Sequence, residues 1–274
     1  MRFIACMLTL CAALVLSSPA PAADEYTPQV GQPGKDVIWV PTPDALVERM
    51  LDMAKATPRD YVVDLGSGDG RTVIAAAKRG IRALGIEYNP DMVKLSMRNA
   101  EKAGVQGAAK FVHGDVFEID FSQATVVTMY LLSSLNLKLR PTILNMKPGT
   151  RVVSHAFTMG DWNADETADV DGYRAYLWIV PAKVQGRWQV SGPAGSFDLA
   201  LEQTFQNITA KAIGSGLTGN VSDARLNGAN INFTVSDSAG KLLRFSGTVN
   251  GDTIEGTAQS PGSGERRWNA RRKG

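Results

Sequence analysis

Three glycines at alternate positions, next to a carboxylate, are the part of this sequence best suited to holding a ligand. Gly66, Gly68 and Gly70 follow Asp64, which lies in a short apolar run. Glycine lets the backbone approach a bound molecule closely, and a helix that begins after the loop points its free N–H groups at that molecule. The spacing is G-x-G-x-G and no Lys-Ser or Lys-Thr pair follows, so the loop fits neither the dinucleotide fingerprint nor a P-loop. We therefore predict a ligand-binding loop of another kind, in preference to a purely structural turn.

Two further acids stand at the ends of the next two apolar runs. Glu87 comes 21 positions after Gly66, and Asp115 ends the third run within a Gly-Asp pair. In a parallel sheet, an acid at the distance of Glu87 lies at the tip of the strand beside the glycine loop. A carboxylate suits a ribose diol there because it has two acceptor oxygens and no donor. The glycine loop and Glu87 together predict a nucleoside site.

Alternating strand and helix patterns place these residues in an α/β fold, a Rossmann-like doubly wound sheet. Strands are predicted at residues 61–65, 82–88, 110–116, 124–131 and 150–155, followed by an antiparallel pair at 173–180 and 183–190. A helix is predicted from Pro43, with Thr42 as its cap and an apolar face at helical spacing. The corner at 40–43 either folds over the ligand or serves only as the start of this helix.

The composition changes after Gly192 to short Val-, Ile-, Phe- and Thr-rich stretches separated by glycine and asparagine turns. About seven such stretches predict a small all-β antiparallel domain, a β-meander or a small barrel. The domain assignment is therefore a signal peptide at 1–22, a ligand-binding domain at 37–190 and a β domain at 193–274. The sequence leaves the partner of the β domain open.

The first residues predict export. An apolar run covers residues 3–16, and Ala20 and Ala22 form an A-x-A cleavage pattern, so residues 1–22 are predicted to be a signal peptide and the protein to be periplasmic or secreted. Both cysteines lie within this peptide, which leaves the mature chain without thiol chemistry. A net charge of +2 is too small to imply nucleic acid, and no later stretch is long and apolar enough to span a membrane. No metal-ligand pattern is present, so no metal is predicted.

The stretch at 64–71 resembles motif I of the class I S-adenosylmethionine-dependent methyltransferases, and the resemblance covers most of 37–190. It implies S-adenosylmethionine as the cofactor and a binding role for each matching residue. The methionine end would be held by Asp64, Gly66, Ser67, Gly68 and Gly70, the ribose by Glu87, and the adenine by Asp115 and Val116.

A closer resemblance lies in the segments at 40–43, 64–71 and 130–141. They look like a bacterial group related to the mitochondrial lysine methyltransferases that act on the c subunit of ATP synthase, and more distantly to the Dot1-type enzymes. This resemblance implies that the chain methylates a protein lysine or another amine. The fourth strand lacks the Asn/Asp-Pro-Pro-Tyr motif of amide-nitrogen and base methylases, which argues against those acceptors.

The methyl acceptor is expected beyond the fourth strand, because ligands bind at the carboxyl ends of parallel strands. Tyr130 is the candidate catalytic residue there: its ring can wall a narrow slot and attract a methylated ammonium. An ordinary core tyrosine remains the alternative. Ser133, Ser134 and Asn136 are further polar candidates. Five acids within 160–171 either attract a cationic substrate or form a solvated loop.

Two rival functions stay open on sequence grounds. One is a non-catalytic, exported module that binds S-adenosylmethionine or a nucleoside, because this cofactor is made in the cytoplasm. The other is a nicotinamide-dependent oxidoreductase, which the glycine spacing disfavours.

Overall fold

A seven-stranded sheet forms the first half of the computed structural model, which describes residues 26–214 and 217–274. The predicted signal peptide at 1–22 lies outside the described residues. The sheet contains β1 (Tyr61–Leu65), β2 (Arg82–Glu87), β3 (Ala109–His113), β4 (Val126–Met129), β5 (Arg151–His155), β6 (Glu166–Val170) and β7 (Tyr173–Ile179). Its strand order is β3-β2-β1-β4-β5-β7-β6, with the first five strands parallel and β7 and β6 antiparallel. This order reverses at β1, which places the glycine loop at the switch point of the sheet.

Four helices cover the sheet: α1 (Asp44–Met53), α2 (Arg71–Lys78), α3 (Pro90–Lys102) and α4 (Ser133–Leu144). The apolar stripe of α1 is buried as its spacing predicts, with Leu46 and Leu51 fully enclosed. The predicted cap is wrong, however, since no side chain caps α1 and the residue at its N-cap is Pro43. The Thr42 hydroxyl instead forms a hydrogen bond with His155, which comes 113 positions later in the sequence.

The antiparallel end of the sheet is confirmed, but its second strand is not the predicted one. β7 pairs with β5 and with β6, whereas the predicted strand at 183–190 corresponds to β8 (Gly186–Gly192), which lies outside this sheet. β6 falls within the acidic stretch that sequence patterning treats as a loop. It is an edge strand whose residues are alternately half-buried and exposed, so it needs no apolar run.

A closed barrel forms the second half of the chain, in agreement with the predicted small all-β domain. Its strands are β8, β9 (Gly195–Thr204), β10 (Asn207–Ile213), β11 (Leu217–Asn227), β12 (Asn230–Asp237), β13 (Leu242–Asn250), β14 (Thr253–Gln259) and β15 (Arg266–Arg272). All neighbouring strands are antiparallel, and β8 closes the ring by pairing with both β9 and β15. The aromatic rings of Phe233, Phe245 and Trp268 pack against one another in its interior.

The barrel touches the sheet at one end through the turn between β9 and β10. The ring of Phe205 stacks on Trp162 with 5.8 Å between centroids, and the Trp162 indole N–H donates to Gln206 Oε1 at 2.9 Å. Trp162 belongs to the segment that follows β5, so the barrel supports that segment from outside the sheet. No helix in the described part of the chain is long and apolar enough to cross a membrane.

Candidate active site

A cavity of about 480 Å³ opens at the carboxyl ends of β1, β2, β3 and β4. This is the edge at which ligands bind in doubly wound sheets, and the volume is in the range of small-molecule sites. The lining contains Asp64, Gly66, Ser67, Gly68, Glu87, Asp115, Val116 and Tyr130. Of the residues predicted to bind the cofactor or to be catalytic, Gly70 alone is absent from it.

The glycine loop has the backbone conformation that its sequence predicts. Gly66, Gly68 and Gly70 have φ angles of 76°, 55° and 84°, in the left-handed region that side chains disfavour. A Cβ atom on Gly68 would lie 2.7 Å from the indole nitrogen of Trp39, which belongs to the arm that precedes α1. A Cβ atom on Gly70 would lie 2.8 Å from the Phe111 ring of β3. Gly70 therefore serves the packing of α2 on the sheet, and Gly66 and Gly68 form the floor of the cavity.

Asp64 lies beneath this floor as a buried carboxyl group. Thr128 Oγ1 donates to its Oδ1 at 2.7 Å, which fixes the orientation of the group. Burial raises the pKa of Asp64 to about 7, and the nearby carboxylate of Glu87 adds to the rise. A positively charged ligand group at the cavity would favour the ionised form of Asp64.

Glu87 is bonded to the glycine loop through backbone N–H groups. Gly68 N–H donates to Glu87 Oε2 at 2.9 Å, and Asn89 N–H donates to Oε1 at 2.8 Å. Each carboxylate oxygen can accept a second hydrogen bond, so this orientation leaves acceptor capacity at the cavity. These two bonds fix the position of the carboxylate; the ribose diol that the sequence assigns to it stays a prediction.

Asp115 pairs with a residue that sequence reasoning missed. Lys35, from the arm at 26–40, forms an ion pair with Asp115 and lies 4.8 Å from the centroid of the Tyr88 ring. Phe117 N–H donates to Asp115 Oδ1 at 2.9 Å, and both contacts hold the pKa of this carboxyl below its usual value, Lys35 most of all. The arm and the corner at Val40 line the cavity, which agrees with a corner folded over the ligand.

Aromatic side chains form the wall at the end of β4. The centroid of the Tyr130 ring lies 3.8 Å from that of the His155 imidazole and 5.9 Å from that of the Phe157 ring, and both pairs are stacked. The chain turns sharply after β5 at Ala156, whose φ of 62° is rare for a residue with a side chain, and this turn brings Phe157 to the cavity. Burial raises the pKa of Tyr130, so its phenol is neutral at physiological pH.

The other polar candidates near Tyr130 do not reach the cavity. Ser133 and Ser134 are absent from its lining, and Asn136 is completely buried in α4. The Asn136 amide donates to the carbonyl oxygens of Phe157 and Thr158, at 3.1 and 3.3 Å. It therefore supports the segment that carries Phe157 rather than contacting a ligand.

Four of the five acids of 160–171 are used within the fold. Asp161 pairs with Arg140, Glu166 with Arg49 and Asp169 with Arg174, while Asp165 accepts a hydrogen bond from Ile179 N–H. These contacts weigh against a free acidic loop that attracts a cation. In the described part of the chain, no group of three His, Cys, Asp or Glu side chains is placed to hold a metal ion.

The raised pKa of Asp64 makes a prediction about stability. The folded protein binds a proton at Asp64 up to about pH 7, whereas the unfolded chain releases it near the ordinary pKa of 3.8. The contribution of Asp64 is therefore fully present at low pH and is lost as the pH rises from 4 to 7, with a slope of at most about 1.4 kcal/mol per pH unit. We expect the free energy of unfolding of the wild type, minus that of Asp64→Asn, to fall over this interval in urea titrations. A difference independent of pH would contradict the assignment.

Comparison with known proteins identifies the family and the fold of the first half of the chain. Residues 64–166 match the family model of the ANTKMT methyltransferase domain. A protein-lysine N-methyltransferase of Saccharolobus islandicus is 45% identical over 151 residues, which cover 53% of this chain and 94% of the relative. The lysine N-methyltransferase of Mus musculus that is named for the c subunit of ATP synthase is 38% identical over 130 residues, and the chain spans only 52% of its length.

A solved structure extends the comparison to three dimensions. The crystal structure of an RNA methyltransferase from Salinibacter ruber, in complex with S-adenosyl-L-homocysteine, is 51% identical in sequence. The superposition has a TM-score of 0.52 and covers 53% of this chain and 96% of the Salinibacter chain. These matches support an enzyme over both rival functions. The chain belongs to the S-adenosylmethionine-dependent methyltransferases, in the group that includes the ANTKMT-type protein-lysine methyltransferases.

Proposed function

We propose that this chain transfers a methyl group from S-adenosylmethionine to the side-chain amine of a lysine in a protein. The observation that carries the proposal is that the glycine loop, Glu87 and Asp115 line the same cavity as the aromatic side chains Tyr130 and Phe157. One end of this cavity suits a nucleoside with an amino-acid tail, and the other end suits an amine.

The residues present fit the cofactor. Gly66 and Gly68 line the cavity with a backbone of positive φ that glycine adopts without strain, and the carboxyl groups of Asp64, Glu87 and Asp115 match the amine, diol and adenine amino groups of the molecule. Ser67 and Val116 complete the lining on the methionine and adenine sides. When bound, S-adenosylmethionine supplies a methyl group activated by a sulfonium; the protein supplies orientation and a suitable environment.

The charge of the cavity favours an amine acceptor over a nucleic acid. The described residues of its lining include five carboxyl groups and only two cations, Lys35 and Arg71. A phosphate backbone would be repelled by this excess, whereas a lysine ammonium would be attracted to it. The names of the archaeal and mouse relatives agree with a lysine acceptor, whereas the Salinibacter protein is called an RNA methyltransferase.

The aromatic wall would prepare the acceptor amine. Tyr130 and Phe157 lie next to Leu131 and Leu132 in the lining, so a lysine side chain entering here would lose much of its hydration. Desolvation disfavours the ammonium form, so the amine would give its proton to water and expose the nitrogen lone pair. The new N–C bond would form as the bond between the sulfonium and its methyl group breaks, with S-adenosylhomocysteine as the leaving group. The ring faces would then hold the amine in line and attract the methylated cation that forms.

We also propose that the enzyme acts outside the cytoplasm, on the evidence of the signal-peptide pattern at 1–22. Mass spectrometry of the protein purified from the cell envelope is then expected to find residue 23 as its first residue. Recovery of the intact N-terminus from the cytoplasm would contradict this location.

Binding of S-adenosylhomocysteine tests the cofactor end. Removing one acceptor oxygen in Glu87→Gln is expected to weaken the affinity by about tenfold or more, because the bond of a ribose hydroxyl to a carboxylate is lost. Isothermal titration calorimetry measures this effect. Glu255→Gln, an exposed position in the barrel, is the matched control and should bind like the wild type. Equal affinities for wild type and Glu87→Gln would refute the ribose assignment.

The acceptor end is tested with sinefungin, which carries an amino group where the cofactor carries its methyl sulfonium. We expect the wild type to prefer sinefungin over S-adenosylhomocysteine, because the added ammonium would lie against the Tyr130 ring. Tyr130→Phe keeps the ring and should keep the preference. In Tyr130→Ala the ratio of the dissociation constants of S-adenosylhomocysteine and sinefungin should fall by about threefold to tenfold. An unchanged preference in Tyr130→Ala would show that this ring does not face the transferred group.

A further inference from the structure

A histidine behind the aromatic wall has no part in the site described so far. His155 ends β5, and the register Met129–Ser154 places it beside Tyr130 at the carboxyl ends of two parallel strands. Its side chain is only 2% exposed and does not line the cavity. His155 can therefore act on a bound acceptor only through the residues that it touches.

Its contacts reach two walls of the cavity. On one side the imidazole stacks on the Tyr130 ring, with 3.8 Å between centroids and 27° between planes. On the other side its Nδ1 shares a hydrogen bond of 3.1 Å with the Thr42 hydroxyl, which belongs to the corner before α1. The edge of the Tyr173 ring, at 5.8 Å, closes the space beside it.

Thr42 continues this chain of contacts to the glycine loop. Its carbonyl oxygen accepts a hydrogen bond of 3.0 Å from Arg71 Nη1, and Arg71 Nη2 donates to Asp69 Oδ2 at 2.6 Å. Asp69 lies between Gly68 and Gly70. The acceptor wall and the cofactor loop are thus joined through His155, Thr42 and Arg71.

The imidazole does more here than fill space. A phenylalanine would stack on Tyr130 equally well, but it would leave the buried Thr42 hydroxyl without this partner. Burial lowers the pKa of His155 to about 4, so the ring is neutral at physiological pH and places no positive charge behind the face that meets a cationic product.

We propose that His155 is a positioning residue for methyl transfer: stacked on Tyr130 and bonded to Thr42, it fixes the tyrosine ring at the acceptor end of the cavity. This inference rests on the proposed function, because it assumes that the transferred methyl group faces Tyr130. It adds a residue pair, Thr42 and His155, that sets the geometry of the acceptor end. Thr42 lines the cavity, whereas the imidazole of His155 acts only through Tyr130 and Thr42.

Calorimetry with S-adenosylhomocysteine and sinefungin tests the proposal without knowledge of the natural acceptor. Thr42→Val and His155→Phe each remove the hydrogen bond and keep most of the packing. Each is expected to reduce the preference for sinefungin, measured as the ratio of the two dissociation constants, by about threefold to tenfold. The ratio cancels any effect on both ligands alike that Thr42, which lines the cavity, has on binding. Thr42→Ser keeps the hydroxyl and should therefore keep the wild-type preference for sinefungin. Thr248→Val makes the same chemical change on an exposed strand of the barrel and serves as the matched control.

The double variant decides whether the two residues act together. Because each single change breaks the same bond, Thr42→Val combined with His155→Phe should lose no more preference than either alone. Additive losses, or an unchanged preference in Thr42→Val, would overturn the proposal. If His155→Phe does not fold, the Thr42 series alone gives the answer. Absence of S-adenosylhomocysteine binding to the wild type would instead contradict the proposed function, so the two failures are distinguishable.

Discussion

The close passage of the glycine loop between neighbouring side chains is the constraint on which the site depends. Trp39 and Phe111 stand so near Gly68 and Gly70 that a Cβ atom at either position would overlap them. In this loop of positive φ angles, the N–H group of Gly68 points at Glu87 and donates to its carboxylate. Loop, carboxylate and cavity floor are in this way one arrangement, and a side chain at either glycine would disturb all three.

The remaining walls of the cavity come from segments outside the parallel sheet. The arm at 26–40 closes the nucleoside side through the pair between Lys35 and Asp115. On the acceptor side, the segment after β5 is held by Asn136 from within and by Phe205 and Gln206 of the barrel from outside. The barrel thus has a physical link to the aromatic wall, although none of its described residues lines the cavity.

The sequence was sufficient for those features whose chemistry is local. The glycine spacing, the acids at the strand tips and the apolar runs of β1 to β5 predict the sheet and the gathering of the loop and acids at one of its edges, because each depends on a few neighbouring residues. The glycine pattern alone predicts that Gly70 lies at the ligand, whereas its close approach to Phe111 shows a packing role.

Features that depend on residues far apart in the sequence could not be predicted. β6 is an edge strand without an apolar run, so no sequence pattern marks it as a strand. The apolar alternation of β8 fits a strand at the edge of the sheet as well as a strand of the barrel, and only the three-dimensional structure shows which it is. Lys35 meets Asp115 across 80 positions, and Thr42 meets His155 across 113. No short-range signal marks such pairs; Thr42 even fits the pattern of a helix cap.

Methyl transfer itself is the most direct test of the proposed function. The purified mature protein would be incubated with envelope proteins and S-adenosylmethionine carrying a deuterated methyl group, and the products digested and analysed by tandem mass spectrometry. We expect the label on lysine side-chain nitrogens, with none when Glu87→Ala replaces the wild type. Label on RNA in a parallel incubation, with none on protein, would contradict the lysine acceptor. Absence of label from both would contradict methyl transfer by the exported chain.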